Sequence, residues 1–401
     1  MNLLQNRKQI DFFKSINPIS FREYQYKSIL KFIENGVNFV SNIKDNYLEI
    51  SDIQINEKVN YTGIYNSKLS KITVKVNNKI SNKQNELFLK LYVPTLLDHN
   101  YYYLNGNYYV PSFFLIDYPI AIKKKSAIIT TLFNSITFYY KQNIAIITGK
   151  NIPISTFIQL FIDKQNKEEV ELYSNFCDFL KIESENISEE NLIQLFSSKF
   201  KTKKNIKDII KKLELITLDN YTKQLYSKCY PDLKSITLKN IILKTLKLTL
   251  AGPISFIDFN FKRVVFLEFI LKPYFTRITT LAIDISKGGI KSKLVMDELS
   301  ILKYFLSSAK SNKQSNGLSG KFRVDSTSLY GLLLPKINLI TPNMNIPPSE
   351  ITNIHESSFY KACPITISNQ HPGETISLIP NVKFDEYGIF KKGKINEKRN
   401  R

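Results

Sequence analysis

Apolar and polar residues alternate over Ile72, Val74 and Val76, and again over Leu87, Leu89, Leu91 and Val93. That is the pattern of strands with one buried face. Asn105-Gly106 then separates two aromatic runs, Tyr101–Leu104 and Asn107–Val110. Asn-Gly suits the positive φ of a two-residue hairpin turn, so a hairpin is expected here. Further strands are expected over 113–120, 126–132, 135–140 and 143–148. Before them, Ser20 and Glu23 fit a capping box, and Phe21, Tyr24, Ile29, Leu30 and Ile33 mark a helix that Gly36 would end. After Gly149 the period turns helical. Helices are expected from Asn151 through Phe161, with Pro153 in the first turn, and over 168–182, 188–200, 206–215 and 237–250, with Ser188 a cap. Strands resume over 254–261, residues 263–271 read as strand or helix, 296–308 as a helix, and 307–320 as a polar loop.

Composition narrows the classes. The 401 residues are 43% hydrophobic and 12% aromatic, enough to bury a core, and carry a formal charge of +21. That charge favours a polyanionic partner, nucleic acid first, although a Lys-, Asn- and Ile-rich composition also follows from AT-rich coding. Lys199, Lys201, Lys203 and Lys204 form a basic cluster that suits either a phosphate backbone or a solvated turn. The tyrosines near the hairpin suit either base stacking or cross-strand packing. Three scattered cysteines, Cys177, Cys229 and Cys363, argue against a disulfide framework. A polar N-terminus and the lack of a long apolar run lead to the expectation of a soluble intracellular protein.

Candidate chemistry gathers near the end. His355–Gly388 holds two of the three histidines, Cys363, and Pro and Gly at close spacing. No zinc spacing, Walker loop, GxGxxG, HExxH, GxSxG or paired-aspartate motif is present. A complete active site is therefore not expected, and no residue is assigned a catalytic role.

The same stretch resembles the β (second-largest) subunit of multisubunit DNA-dependent RNA polymerases, whose pattern is H-x-x-x-x-G-x-x-C-P-x-E-T-P-E-G-x-x-x-G-L. His355 and Cys363-Pro364 fall at matching distances, Gly373 (after Pro372) matches the turn glycine, and Ile376, Leu378 and Ile379 match the apolar run. Asp385-Glu386-Tyr387-Gly388 is similar to the N-E-Y-G that follows. Tyr360 replaces the first glycine, three extra residues precede the turn, and His371-Pro372 stands where the family has glutamates; no role of those acids carries over. Val93–Asp98 with Tyr103–Gly106 resembles I-P-L-M-T-D-x-G-x-F-x-I-N-G. The Ser20 helix, Lys150–Pro153 and Asp325–Lys336 resemble other family segments in the same order.

The family's double-psi barrel half has no counterpart here. The resemblance therefore implies the N-terminal part of a split β subunit of the giant-phage type. It implies an α+β, multi-domain fold: an N-terminal helix and β-rich protrusion over 1–148, a mainly helical lobe insert over 149–250, more protrusion over 251–320, and a fork and hybrid-lining region over 321–401. It implies a subunit of a DNA-directed RNA polymerase, a nucleotidyltransferase, that contacts template DNA and the RNA–DNA hybrid. No cofactor is expected in this chain, with Mg²⁺ on a β′-like partner. Implied partners are the C-terminal half of β, β′-like subunits, a promoter-specificity subunit, DNA and RNA, and no membrane. The implied location is the cytoplasm of an infected bacterial host cell, or the virion. Nucleic-acid contacts are expected from Lys321, Arg323, Lys336, Asn338 and Lys361, and a structural role from His355, Cys363, Pro364, Pro372 and Gly373. The alternative is a stand-alone basic nucleic-acid-binding or structural protein.

Overall fold

The two alternating runs become paired strands. The computed structural model describes residues 29–31, 33–38, 48–59, 67–78, 85–95, 102–104, 107–110, 113–132, 134–182, 187–200, 205–255, 258–265, 293–298, 322–323, 336–339, 355–359, 361, 375–377, 385 and 387–390. In chain order the strands are β1 (Leu48–Val59), β2 (Leu69–Asn78), β3 (Asn85–Pro94), β4 (Tyr102–Leu104), β5 (Asn107–Val110), β6 (Phe113–Asp117), β7 (Ile120–Lys123) and β8 (Ser126–Thr130). They continue with β9 (Ser135–Tyr139), β10 (Ile144–Ile147), β11 (Lys150–Pro153), β12 (Lys262–Val265), β13 (Lys293–Glu298), β14 (Phe322–Arg323), β15 (Lys336–Leu339) and β16 (Thr375–Ser377). The helices are α1 (residues 29–31 and 33–38), α2 (Ile154–Gln159), α3 (Lys167–Leu180), α4 (Glu189–Phe200), α5 (Ile206–Thr217), α6 (Asn220–Cys229) and α7 (Leu238–Ala251). The fold is mixed α+β with several sheets. No helix among the described residues is long and apolar enough to cross a membrane.

Two compact units emerge: Met1–Ile116 with Ile257–Arg401, and Asp117–Phe256. In the first, β1, β2, β3 and β13 form one sheet in that order. Ile72, Val74 and Val76 are buried at 0–1% exposure, as their alternation predicts. On β3, Tyr92 is buried alongside Leu91 and Val93, so both faces are covered there. The β4–β5 hairpin pairs Leu104 with Asn107, leaving the expected two-residue Asn-Gly connection. In α1, Ile29, Ile33 and Val37 lie four apart and are buried. Gly36 does not end this helix, which continues to residue 38; burying Val37 offsets the conformational cost of a helical glycine. Residues 20–28 and 307–320 lie outside the described residues.

The second unit is an antiparallel sheet in the order β11-β10-β9-β8-β7, covered by α2–α7. Ile120, Ile129, Phe138, Ala145 and Ile152 from the sheet share one core with Phe157, Phe176, Phe196, Leu213, Tyr226 and Ile242. Strands 120–147, grouped by sequence with the strands before them, thus pack with the helices. Each fully buried large apolar side chain contributes on the order of 1.5–3 kcal/mol. Capping sets the helix starts: Asn166 accepts from the Glu168 and Glu169 N–H groups, Asn205 from Lys207, Asp219 from Thr222 and Thr237 from Asn240. Ser188 Oγ accepts from the Asn191 N–H at 3.4 Å, as its position before Glu189 and Glu190 suggests.

Helix α6, which the periodicity did not disclose, closes one edge of this sheet. Thr222, Tyr226 and Tyr230 follow at intervals of four. Thr222 Oγ1 accepts from the Leu132 N–H at 3.0 Å, and the Tyr226 hydroxyl reaches the Pro119 and Thr130 carbonyls at 3.4 and 3.3 Å. The Tyr230 hydroxyl accepts from the Ile120 N–H at 3.1 Å and donates to the Ile120 carbonyl at 3.3 Å. The Tyr230 phenol thus satisfies the outward backbone groups of Ile120 at the start of the edge strand β7. The unit's entry and exit meet where the Ile254 N–H donates to the Ile122 carbonyl at 3.1 Å.

Several expectations change. Residues 150–153 are a strand, because Thr148 (φ 49°) and Gly149 (φ 77°) turn the chain back onto β10. Helix α2 starts only after Pro153, whose missing N–H costs nothing at that boundary. Residues 252–255 are not a strand, Phe259–Phe261 is a 3-10 turn, and strand begins at Lys262. Residues 296–298 belong to β13, in parallel register with β3, so the helix expected over 296–308 does not include its first three residues, and residues 299–308 lie outside the described residues.

Candidate nucleic-acid interface

The described part of the C-terminal stretch forms a corner with the Asp258–Val265 segment. Asp258 Oδ1 accepts from the Asn260 N–H at 2.9 Å, starting the 3-10 turn that leads into β12. Opposite, Asp385 closes a tight turn: its Oδ1 accepts from the Tyr387 and Ile389 N–H groups at 2.9 and 3.0 Å. Its carbonyl accepts from the Gly388 N–H at 3.0 Å. Gly388 has φ +77°, and its carbonyl accepts from the Val264 N–H at 2.8 Å. A Cβ at Gly388 would lie 1.7 Å from the Val264 carbonyl oxygen. Arg263, only 3% exposed, donates from Nη1 to the Tyr387 carbonyl at 3.4 Å. From α1, Lys31 Nζ lies 4.9 Å from the Tyr387 ring centroid and donates to its hydroxyl at 3.4 Å.

His355 caps the short turn Glu356–Ser358. Its Nδ1 accepts from the Ser357 N–H at 3.2 Å and lies 2.7 Å from Ser357 Oγ, which itself accepts from the Phe259 N–H at 2.8 Å. This pattern assigns Nδ1 as acceptor and the ring proton to Nε2. Asp258 Oδ1 is 3.7 Å from the same nitrogen. A nucleophilic relay needs serine and carboxylate on opposite ring nitrogens. Here both face Nδ1 and Ser357 is buried, so the trio fastens a turn. Among the described residues, no group of three or more His, Cys, Asp or Glu side chains could hold a metal ion.

Lys361 is half-buried at the same corner. Its Nζ donates to Asn260 Oδ1 at 3.3 Å and lies 5.6 Å from the Phe390 centroid; Phe390 in turn packs 6.0 Å from Phe259. Burial pulls its ammonium below the ordinary lysine value, and the Asp258 carboxylate opposes that shift. Phe359, two residues earlier, is 62% exposed.

The other expected contacts fall on two further sheets of this unit. Arg323 on β14 stands opposite Tyr109 of β5, beside the β4–β5 tyrosines. Lys336 and Asn338 on β15 stand opposite Ser377 and Thr375 of β16, and Asn338 also opposite Phe114 of β6. The sheet order β12-β6-β15-β16 links these positions to the strand carrying Arg263. Lys321, Cys363, Pro364, Pro372 and Gly373 lie outside the described residues, as do Lys201, Lys203 and Lys204. Lys199 donates to the Asn151 carbonyl. Sequence reasoning missed Asn260, Arg263 and the Lys31–Tyr387 contact; the Asp-x-Asn spacing before Lys262-Arg263 was the one local signal. No protein-family model matches the chain, and a search of curated proteins returns no match.

Proposed function

We propose that this chain is the non-catalytic N-terminal half of a split RNA polymerase β subunit, in which it lines one side of the DNA cleft. The observation that carries the reading is the order of short signatures along the sequence, from the Ser20 helix through Val93–Gly106 to His355–Gly388. One structural feature supports it. Residues 117–256 are a separate unit flanked on both sides by segments of the other, with entry and exit hydrogen-bonded through Ile254 and Ile122. This nesting has the topology of a lobe inserted in a protrusion, and it supports a multi-domain chain. In this reading Lys321, Arg323, Lys336, Asn338 and Lys361 hold phosphates or the hybrid electrostatically. The partner chains supply the catalytic Mg²⁺, and the machine works in the infected host's cytoplasm or the virion.

Affinity purification of the tagged chain from infected cells, followed by mass spectrometry, tests this. Recovery with a second β-like chain and β′-like chains, together with templated RNA synthesis, is expected. A chain that emerges alone and binds duplex DNA tightly overturns the proposal in favour of a stand-alone nucleic-acid-binding protein.

A further inference from the structure

In the sheet of the second unit, Ile122, Ala127, Phe138, Ala145 and Ile152 are opposed in one row across the five strands. Opposed residues share a face, and these are 0–3% exposed in the core that the sheet shares with α2–α7. The next residue along a strand turns to the other face. There Lys123, Ser126, Tyr139 and Ile144 form a row, and Ile128, Thr137 and Ile146 form a second row on the same face. Tyr139 is 41% exposed, and the three isoleucines are half-buried. Its neighbour Tyr140 goes the opposite way, packing against the core with its hydroxyl 3.4 Å from Thr249 Oγ1. The outer face thus presents one aromatic ring set among aliphatic side chains.

The charge around that ring is of one sign. Residues 118–162 contain five lysines and no Asp or Glu. Lys150 lies at the far end of the sheet, its Nζ 4.7 Å from the Phe200 ring centroid. The other four meet at the Tyr139 end. Lys123 ends β7, Lys124 and Lys125 turn the chain into β8, and Lys141 lies in the 3-10 turn that follows β9. The Tyr140 N–H donates to the Lys125 carbonyl at 3.1 Å, which fastens these two turns side by side. Lys124, Lys125 and Lys141 are exposed. A lysine run alone is ordinarily a solvated turn, but this one borders an open aromatic face.

We propose that this outer face binds single-stranded nucleic acid, one base stacking on Tyr139 while Lys124, Lys125 and Lys141 hold backbone phosphates. The acid-free rim complements a polyanion, and the ring selects the single strand, because a duplex keeps the faces of its bases stacked inside. The site lies on the second unit, apart from the contacts expected of Lys321, Arg323, Lys336, Asn338 and Lys361. It requires no polymerase partner, so its failure would leave the assembly read by co-purification standing.

The test is fluorescence anisotropy of the purified full chain with labelled oligo-dT and oligo-rU of about fifteen nucleotides, and with a duplex of the same length, over about 50–200 mM salt. Tyr139→Ala is expected to weaken binding of at least one single strand by about 5- to 150-fold, with Tyr139→Phe near wild type and the duplex little changed. Replacing Lys124, Lys125 and Lys141 together by glutamine should lower the single-strand salt slope by about 2. Replacing the equally exposed Lys211, Lys223 and Lys228 removes the same charge from the helices of this unit and should leave that slope nearly unchanged. Single-strand binding untouched by Tyr139→Ala, an equal loss on the duplex, or equal slope changes from the two lysine sets overturns the proposal. Full displacement of the oligonucleotide by poly-glutamate at equal charge overturns it in favour of an acidic protein partner.

Discussion

At Gly388 a backbone φ of +77° and a Val264 carbonyl oxygen 1.7 Å from where a Cβ would sit act together. Alanine there meets both backbone strain and direct overlap, and Gly388→Ala is expected to destabilise the first unit by about 2–5 kcal/mol. Gly252 is the internal comparison. Its φ is +109° but nothing lies within 4 Å, so Gly252→Ala should cost only the strain, about 1–3 kcal/mol. Denaturant unfolding of both variants checks the ranking; equal losses would remove the Val264 contact from the argument. Tyr230 makes a different kind of demand. Tyr230→Phe leaves the buried Ile120 N–H and carbonyl without the phenol, a loss of about 1–3 kcal/mol. Burial also pushes the Tyr230 phenol well above its ordinary value. A group whose folded value is raised contributes stability that is full below the unfolded value, about 10, and fades as pH rises from there toward the folded one. Wild-type stability should therefore fall above that pH, and more steeply than in Tyr230→Phe, in melts at stepped alkaline pH.

Among elements, the β10–β11 hairpin shows where a local code stopped being readable. Asn105-Gly106 announced its hairpin, and the Leu104–Asn107 pairing followed. Thr148-Gly149 makes the same two-residue connection, pairing Ile147 with Lys150, but a β-branched residue at φ 49° is a poor advertisement for it. Thr148→Asn relieves that strain and is expected to stabilise the second unit by about 0.5–1 kcal/mol, seen as a raised melting temperature. Other misreadings share a cause in distant partners. Helix α6 carries Thr222 and Tyr226 where apolar residues would mark a stripe, because their hydroxyls, with that of Tyr230 just beyond the helix, bond backbone groups at Leu132, Pro119, Thr130 and Ile120 while the rings join the core. Residues 296–298, expected to open a helix, are instead the end of β13, because their register partner β3 is about two hundred residues away. The corner was half legible. His355, Lys361 and Asp385–Gly388 stood out in a motif-rich stretch. Asn260 and Arg263 did not, because their partners lie about a hundred residues away and no local period reports them.

For the molecule as a whole, the arrangement of the second unit carries the main consequence. Its core draws on its own strands and helices, and the edge of β7 is met from within, at Ile120 by the Tyr230 phenol and at Ile122 by the Ile254 N–H. Its first and last strand-level contacts meet at Ile122 and Ile254, so excision leaves two neighbouring ends. It holds 21 of the 56 basic residues and 14 of the 35 acidic ones. Its net charge is +7, and Lys239–Glu169 and Lys244–Asp232 pair at 2.9 and 2.7 Å. A fragment of residues 117–256 should therefore fold alone, with a single cooperative transition and dispersed amide resonances. Tyr230→Phe should lower its midpoint, and Gly388→Ala in the full chain should leave this transition in place while weakening the other. A fragment that stays molten, or a full chain in which both substitutions shift one common transition equally, would mean that the insert depends on its host. The lobe-in-protrusion reading would then lose its structural support.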